Sequence, residues 1–303
     1  MSSPLASLAR SVLDFAPPLV LAALGGVVSE RAGVVNIGLE GLMRVGAFAA
    51  CFAAYATGSA WAGLAAGVAA GVALSAVHAF VSIHGRADQV VSGIALNLIA
   101  LGLVTFLLEA VFGTTGTAPV DTLPELPTLL GRSPYTYLAF AAPFATEWAL
   151  RSTVPGLRLR AVGEHPHAAA TLGVSVARVR WAAVLAGGAL AGLGGSALPL
   201  AILHRFDNKM PAGLGFMALA AMVFGKWTPI GALFASLFFA FGNAAADTLR
   251  SAIPRTGALA AWHLDGILLA APYLLTLALL GGFVGRAVPP AADGVPFDPE
   301  AKH

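Results

Sequence analysis

The 303 residues are 58% hydrophobic and only 11% charged, with a net charge of +2 and a mean hydropathy of +0.82. A soluble domain carries about 25% charged residues, so this chain has too little polar surface to cover a water-soluble globule, and the membrane class remains. No basic cluster dense enough for nucleic acid is present, and a single cysteine, Cys51, excludes an internal disulfide.

In chain order, the N-terminus MSSPLASLARSVLDFAPPL shows neither a strongly basic region nor a small-residue cleavage site, so its apolar run is expected to stay as a membrane helix. Long runs without Asp, Glu, Lys or Arg follow, such as Val45 to Gly85, Gln89 to Leu108, Trp181 to His204, Trp227 to Ala246 and Gly266 to Gly285. A helical span needs about 20 apolar residues. Spans are expected at 14–29, 33–56, 60–83, 89–112, 133–150, 178–203, 211–225, 228–249 and 263–284. The 211–225 segment is short, and Gly225-Lys226-Trp227-Thr228-Pro229 breaks it from the next, which is the pattern of a re-entrant or broken helix near 211–230. The expected fold is an all-α polytopic transmembrane helical bundle of about 8 to 10 spans. It occupies residues 1–285, and 286–303 form a polar, Pro-rich tail expected to be disordered.

Small residues recur at four-residue spacing: Gly63, Gly67 and Gly71 on one span, Gly188, Gly192 and Ser196 on another. In lipid such stripes let helix backbones approach closely. Loop charge sets orientation. Residues 151–180 carry five arginines against Glu164, so this loop should be cytoplasmic, the 113–132 loop external and the N-terminus outside.

Within the basic loop, VGEHPHAAATLGV (162–174) holds a self-contained helix signature. Pro166 suits the first helical position and Gly173 the left-handed position beyond the end. The segment resembles the coupling-helix region of permeases from ABC importers for sugars, nucleosides and branched-chain amino acids, approximately A-V-G-x-N-P-x-A-A-x-x-x-G-I. Gly163, Pro166, Ala169, Ala170 and Gly173 match, and His165 stands where the family has Asn. ERAGVVNIGLEGLM (30–43), DQVVSGIALN (88–97) and GKWTPIG (225–231) add to the likeness, which is closest to the nucleoside-type permeases.

The resemblance implies a permease subunit that moves nucleosides, or related simple sugars, into the cytoplasm across the bacterial cytoplasmic membrane. It implies a second permease subunit, identical or different, an external solute-binding protein, and cytoplasmic ABC ATPases. Those ATPases would couple through Gly163, Glu164, His165, Pro166, Ala169, Ala170 and Gly173. No G-x-x-x-x-G-K-[ST] loop occurs here, so ATP and Mg belong to the partner and the chain is expected to need no cofactor and to be no enzyme.

Candidates for a translocation path or gate are Asn36, Glu40, Asn97 and Asn243. Asn36, Glu40 and Arg44 would share one helix face, either as a polar stripe between helices or as a lining of the path. Asn243 and Asp247 are likewise four apart, and Phe216, Phe234, Phe238 and Phe241 offer a possible stacking surface for a base. His78, His84, His165 and His167 show no metal-ligand pattern, and no catalytic constellation is recoverable. The rival functions are an ion-driven secondary transporter, with only Glu40, Glu109 and Asp247 as acids to serve it, a membrane enzyme, and, within the family, a sugar or branched-chain amino acid permease.

Overall fold

A computed structural model describes residues 4–120, 122–252 and 287–298. The expected span at 263–284 lies outside the described residues. Among these residues the chain is helical, with only isolated β-bridges. Six helices are long and apolar enough to cross a membrane: Ala6–Glu30, Leu39–Thr57, Ala60–His84, Gln89–Phe112, Val176–Ile202 and Pro229–Arg250.

The elements are α1 (Pro4–Glu30), α2 (Leu39–Thr57), α3 (Ala60–Ala79, extended by a π-turn Phe80–His84), α4 (Gln89–Phe112), α5 (Pro134–Ser152), α6 (Val154–Glu164), α7 (Pro166–Thr171), α8 (Val176–Ala197, extended by a π-turn Leu198–Ile202), α9 (Leu214–Phe224) and α10 (Pro229–Ala252). Local chemistry sets their ends. Ser59 Oγ accepts from the Ala62 amide, Asp88 from Val91 at 2.9 Å, and Thr153 Oγ1 from Gly156 at 3.2 Å, each capping a helix start. Gly58 and Gly113, both left-handed, end α2 and α4.

α1 is buried on every side from Ala16 to Glu30, as expected of a central helix with no polar face. The two small-residue stripes meet each other. A Cβ on Gly71 would lie 2.3 Å from the Gly188 carbonyl oxygen, and one on Gly192 2.5 Å from that of Gly67. α3 and α8 thus touch backbone to backbone, which gives dispersion contact where lipid supplies no hydrophobic drive.

α5 carries Pro143, Glu147 and Arg151, yet it runs the height of α1. Arg132, just before it, pairs with Asp14, while Leu150 near its end shares a cleft with Arg31.

Two expectations fail here. The span predicted from 33 begins only at Leu39, because Gly33, at φ +82°, turns the chain out of α1 and residues 32–38 form an irregular elbow. Non-helical backbone is tolerated at membrane depth only where protein satisfies it, and side chains do so here. Ser29 Oγ donates to Val34 O at 2.7 Å, His78 Nε2 donates to Val35 O at 2.9 Å, the Val35 amide donates to Gln89 Oε1 at 2.7 Å, and Asn97 Nδ2 donates to Ile37 O at 3.0 Å.

The tail, expected to be disordered, is laid over residues 287–298 against the basic loop. The Ala292 amide donates to Gly163 O at 2.9 Å and Arg180 Nη1 to Val295 O at 3.0 Å. Composition indicated too little apolar area for packing, but Phe297 inserts among Val162, Ala169 and Val176, and backbone carbonyls supply the rest.

Candidate functional site

The 211–225 break is a half-helix. α9 has 11 residues, about 16 Å of rise. The chain leaves the α8 π-turn beside the 113–118 loop, where the Asn208 amide donates to Gly116 O and the Ala118 amide to Phe206 O. It then descends without regular structure, and α9 starts only inside the bundle. Discontinuous helices of this kind place their N-terminal amides at membrane depth.

Glu40 receives them. Its Oε1 accepts from the Gly213 amide at 3.0 Å and its Oε2 from Gly215 at 2.8 Å. A carboxylate at a helix N-terminus satisfies orphan donors and the helix dipole together. Arg44, 3.9 Å from Glu40, also donates to the Asn208 carbonyl. The two charges one turn apart on α2 therefore both hold the broken segment that leads into α9.

At the other end of α9, Lys226 and Trp227 adopt positive φ of +53°, a conformation that persists only where surroundings impose it. The Trp227 indole Nε1 donates to Glu30 Oε2 at 2.6 Å, and Glu30 Oε1 accepts the Asn36 amide at 3.3 Å. Glu30 also shares a hydrogen bond with Asp293 of the tail, which requires a proton between two carboxyl groups. Burial and the neighbouring Glu30 carboxylate push the Asp293 carboxyl up to about 8, against the opposing pull of Arg180.

Of the four proposed path residues, three are brought to one junction. Asn36 is fully buried in the elbow rather than on the α2 face with Glu40. Glu40 binds α9, and Asn97 binds Ile37 O and, through Oδ1, the Gly41 amide at 2.7 Å. Asn243 stands apart, donating to Phe239 O at 3.2 Å. It lines a cavity of about 410 Å³ with Phe15, Met210, Leu214 and Met217. A mostly apolar chamber with few polar groups is the form of a small-molecule site. Phe216, Phe234 and Phe241 are exposed and do not line that cavity, and Phe238 lies edge-on to Phe239. A second, polar cavity of about 580 Å³ opens under the 113–133 loop beside Asp14, Arg132 and His204.

In the basic loop, α7 ends as its sequence requires. The Gly173 amide donates to Ala170 O and the Val174 amide to Ala169 O, with Gly173 at φ +82°, which together form a Schellman closure. His165 makes no side-chain cap. Glu164, His165 and Ala170 are exposed, while Ala169 is buried and faces inward. Gly163 packs so closely on the α1–α2 elbow that a Cβ there would lie 2.1 Å from Arg31 O.

Glu30, Trp227, Arg180 and Asp293 were not singled out from sequence. Arg180 reads as one more loop arginine, yet it is 1% exposed. The only sequence signal for Glu30 and Trp227 was their place in the ERAGVVN and GKWTPIG motifs.

Residues 8–284 match the model of a protein family described as branched-chain amino acid transport system / permease component. The chain is 42% identical to the guanosine ABC transporter permease protein NupQ of Bacillus subtilis, with 95% of each chain covered. It is 37% identical to the nucleoside ABC transporter permease protein NupC of Lactococcus lactis, again over 95% of each. To the putative glucose ABC transporter permease protein TsgC13 of Haloferax volcanii it is 36% identical, over 77% of this chain and 75% of the other.

Proposed function

This chain belongs to the branched-chain amino acid transport system / permease component family, a multi-pass cell-membrane transport subunit rather than an enzyme, and on that premise we propose that it carries nucleosides into the cytoplasm as part of an ATP-driven importer. The two relatives covering 95% of the chain are both named for nucleosides or guanosine, which favours nucleosides over sugars or branched-chain amino acids.

The observation that carries the mechanism is the root of α7. Glu164 and His165 just before this short helix and Ala170 within it face outward, while Gly163 beneath it meets the elbow backbone. In the proposed cycle, a cytoplasmic ATPase, which binds the ATP and Mg, docks on α7. Its closure moves α6 and α7 against Arg31. The elbow carries that motion to Glu30 and Trp227 below and to Glu40 and the start of α9 above. The chamber beside Asn243 then alternates between faces, supplied from outside by a solute-binding protein. The exposed Phe216, Phe234 and Phe241 on α9 and α10 offer a face for a second permease subunit. The exposed Val91, Ile94, Leu98 and Phe106 of α4 face lipid.

The test is site-directed capture. Ala170→Cys, in a Cys51→Ala background, should crosslink an ABC ATPase in native membranes that take up nucleosides, and Leu130→Cys, on the opposite face, should not. Uptake persisting with no ATPase captured or required would sink the proposal in favour of ion coupling.

A further inference from the structure

The tail is tied at both ends of the coupling path. On the α7 side, Phe297 lies 4.9 Å from the His167 ring and closes the Val162, Ala169 and Val176 cluster. The Ala291 amide donates to Glu164 Oε2 at 3.2 Å, and the Ala292 amide to Gly163 O. On the bundle side, Arg180 holds Val295 O and Ala292 O, and Asp293 is bonded to Glu30, whose other oxygen takes the Trp227 indole. Between these ends the tail is stiff. The Asp293 amide donates to Pro290 O and the Val295 amide to Ala292 O, and Pro289, Pro290 and Pro296 restrict the backbone.

A six-residue helix has little stability of its own. Only Ala169 of α7 is buried, and it is buried in the cluster that Phe297 completes. Without the strap, a push on α7 would be absorbed by a loosely held turn.

We propose that residues 287–298 are a positioning strap that makes α7, the α1–α2 elbow and the α9–α10 break move as one body, with Phe297 and Asp293 as its two attachment residues. The inference rests on ATPase docking at α7. It adds that the force reaches Trp227 through the tail as well as through the Gly163–Arg31 contact.

The test compares transport with ATP hydrolysis in the reconstituted complex with its ATPase. Phe297→Ala should leave Ala170→Cys capture of the ATPase intact and lower nucleoside moved per ATP hydrolysed by about tenfold, with recovery in Phe297→Leu. Asp293→Ala, which leaves Phe297 in place under α7, should uncouple the complex similarly while the hydrogen exchange of α7 stays unchanged. An unchanged ratio in Asp293→Ala, or a Phe297→Ala loss that merely follows the amount of assembled complex, would overturn the strap alone. No ATPase capture in the otherwise unaltered chain would overturn the docking premise and the strap with it.

Discussion

Glu40 Oε2 lies 2.8 Å from the backbone nitrogen of Gly215, although 175 residues separate the two in sequence. The contact joins the first turn of α2 to the start of the half-helix α9, and it makes the first charge of α2 a structural tie between them.

Replacing Glu40 with alanine should therefore cost about 2 kcal/mol of stability, because two amides lose their acceptor and Arg44 loses its partner. Glu40→Gln keeps an acceptor and should lose less. Thermal unfolding in detergent, alongside nucleoside uptake, checks both. Equal melting of Glu40→Ala and the parent chain would show that the tie is not holding α9.

At the lower end of α9, Trp227→Phe keeps the ring and deletes the donor to Glu30. A buried acceptor left unmatched costs about 1–3 kcal/mol. Uptake should fall while capture through Ala170→Cys persists, since Trp227 lies away from α7's exposed face. Loss of capture would instead mean that the substitution disturbs the basic loop.

Gly71→Ala tests the α3–α8 seam. Its Cβ would meet the Gly188 carbonyl oxygen at 2.3 Å, and helix backbones cannot separate locally without losing neighbouring contacts, a cost of about 1–3 kcal/mol. Gly102→Ala, whose Cβ would meet nothing within 4 Å, is the matched control. The expected order of melting temperatures is Gly71→Ala well below Gly102→Ala.

Docking of the strap should depend on pH. The Asp293 carboxyl rises from an ordinary 3.8 to about 8 when docked, through burial first and the Glu30 carboxylate second. The groups facing it are Glu30 on α1 and Arg180 on α8, with the Trp227 indole sharing Glu30. The docked state keeps its proton across that window and the free tail does not, so docking is strongest at low pH, weakens as pH rises toward about 8, and levels off above it. Hydrogen exchange of the 291–295 and Phe297 amides, corrected for intrinsic rates, should show protection falling between about pH 4 and about pH 8, and Asp293→Asn should flatten the profile. Protection that rises over this range would reverse the assignment.

Much of the helical architecture was legible because it rests on local signals. Apolar runs gave α3 with its π-turn, α4 and α5 to within a residue or two, and Ser59, Asp88 and Ser133 cap their starts, whereas α1 begins ten residues before the expected span. The glycine stripes of α3 and α8 announced a close seam, though not that each was the other's partner. The elbow at 32–38 stayed hidden because Gly33 and Gly38 sit in a run whose hydropathy continues unbroken. Its backbone is satisfied by His78, Gln89 and Asn97, which lie more than forty residues away. The tail misled for a related reason. Its ordering depends on Arg180 and on one phenylalanine, and composition averages over both. Of the path or gate candidates Asn36, Glu40, Asn97 and Asn243, Asn243 stands apart on α10 and the other three lie at one junction. That Glu40 and Asn97 hold irregular backbone could not be read from spacing along a helix that does not begin until Leu39.

The half-helix has a consequence for how the protein is made. An apolar helix of 11 residues covers only about half of the ~30 Å hydrocarbon layer, and the chain leading into it carries Arg205, Asp207 and Lys209. Such a segment cannot partition into lipid alone. It has to be received by neighbours already in place, and Glu30, Glu40, Arg44, Thr105 and Thr117, whose side chains hydrogen-bond it, all lie earlier in the chain, while α10, which contributes Asn243 and Phe239, packs on it afterwards. Synthesis from the N-terminus thus builds the cradle before the segment that needs it emerges. A rearranged chain that put residues 203–227 ahead of α1 and α2 would present the membrane with a crossing it has no means to accept.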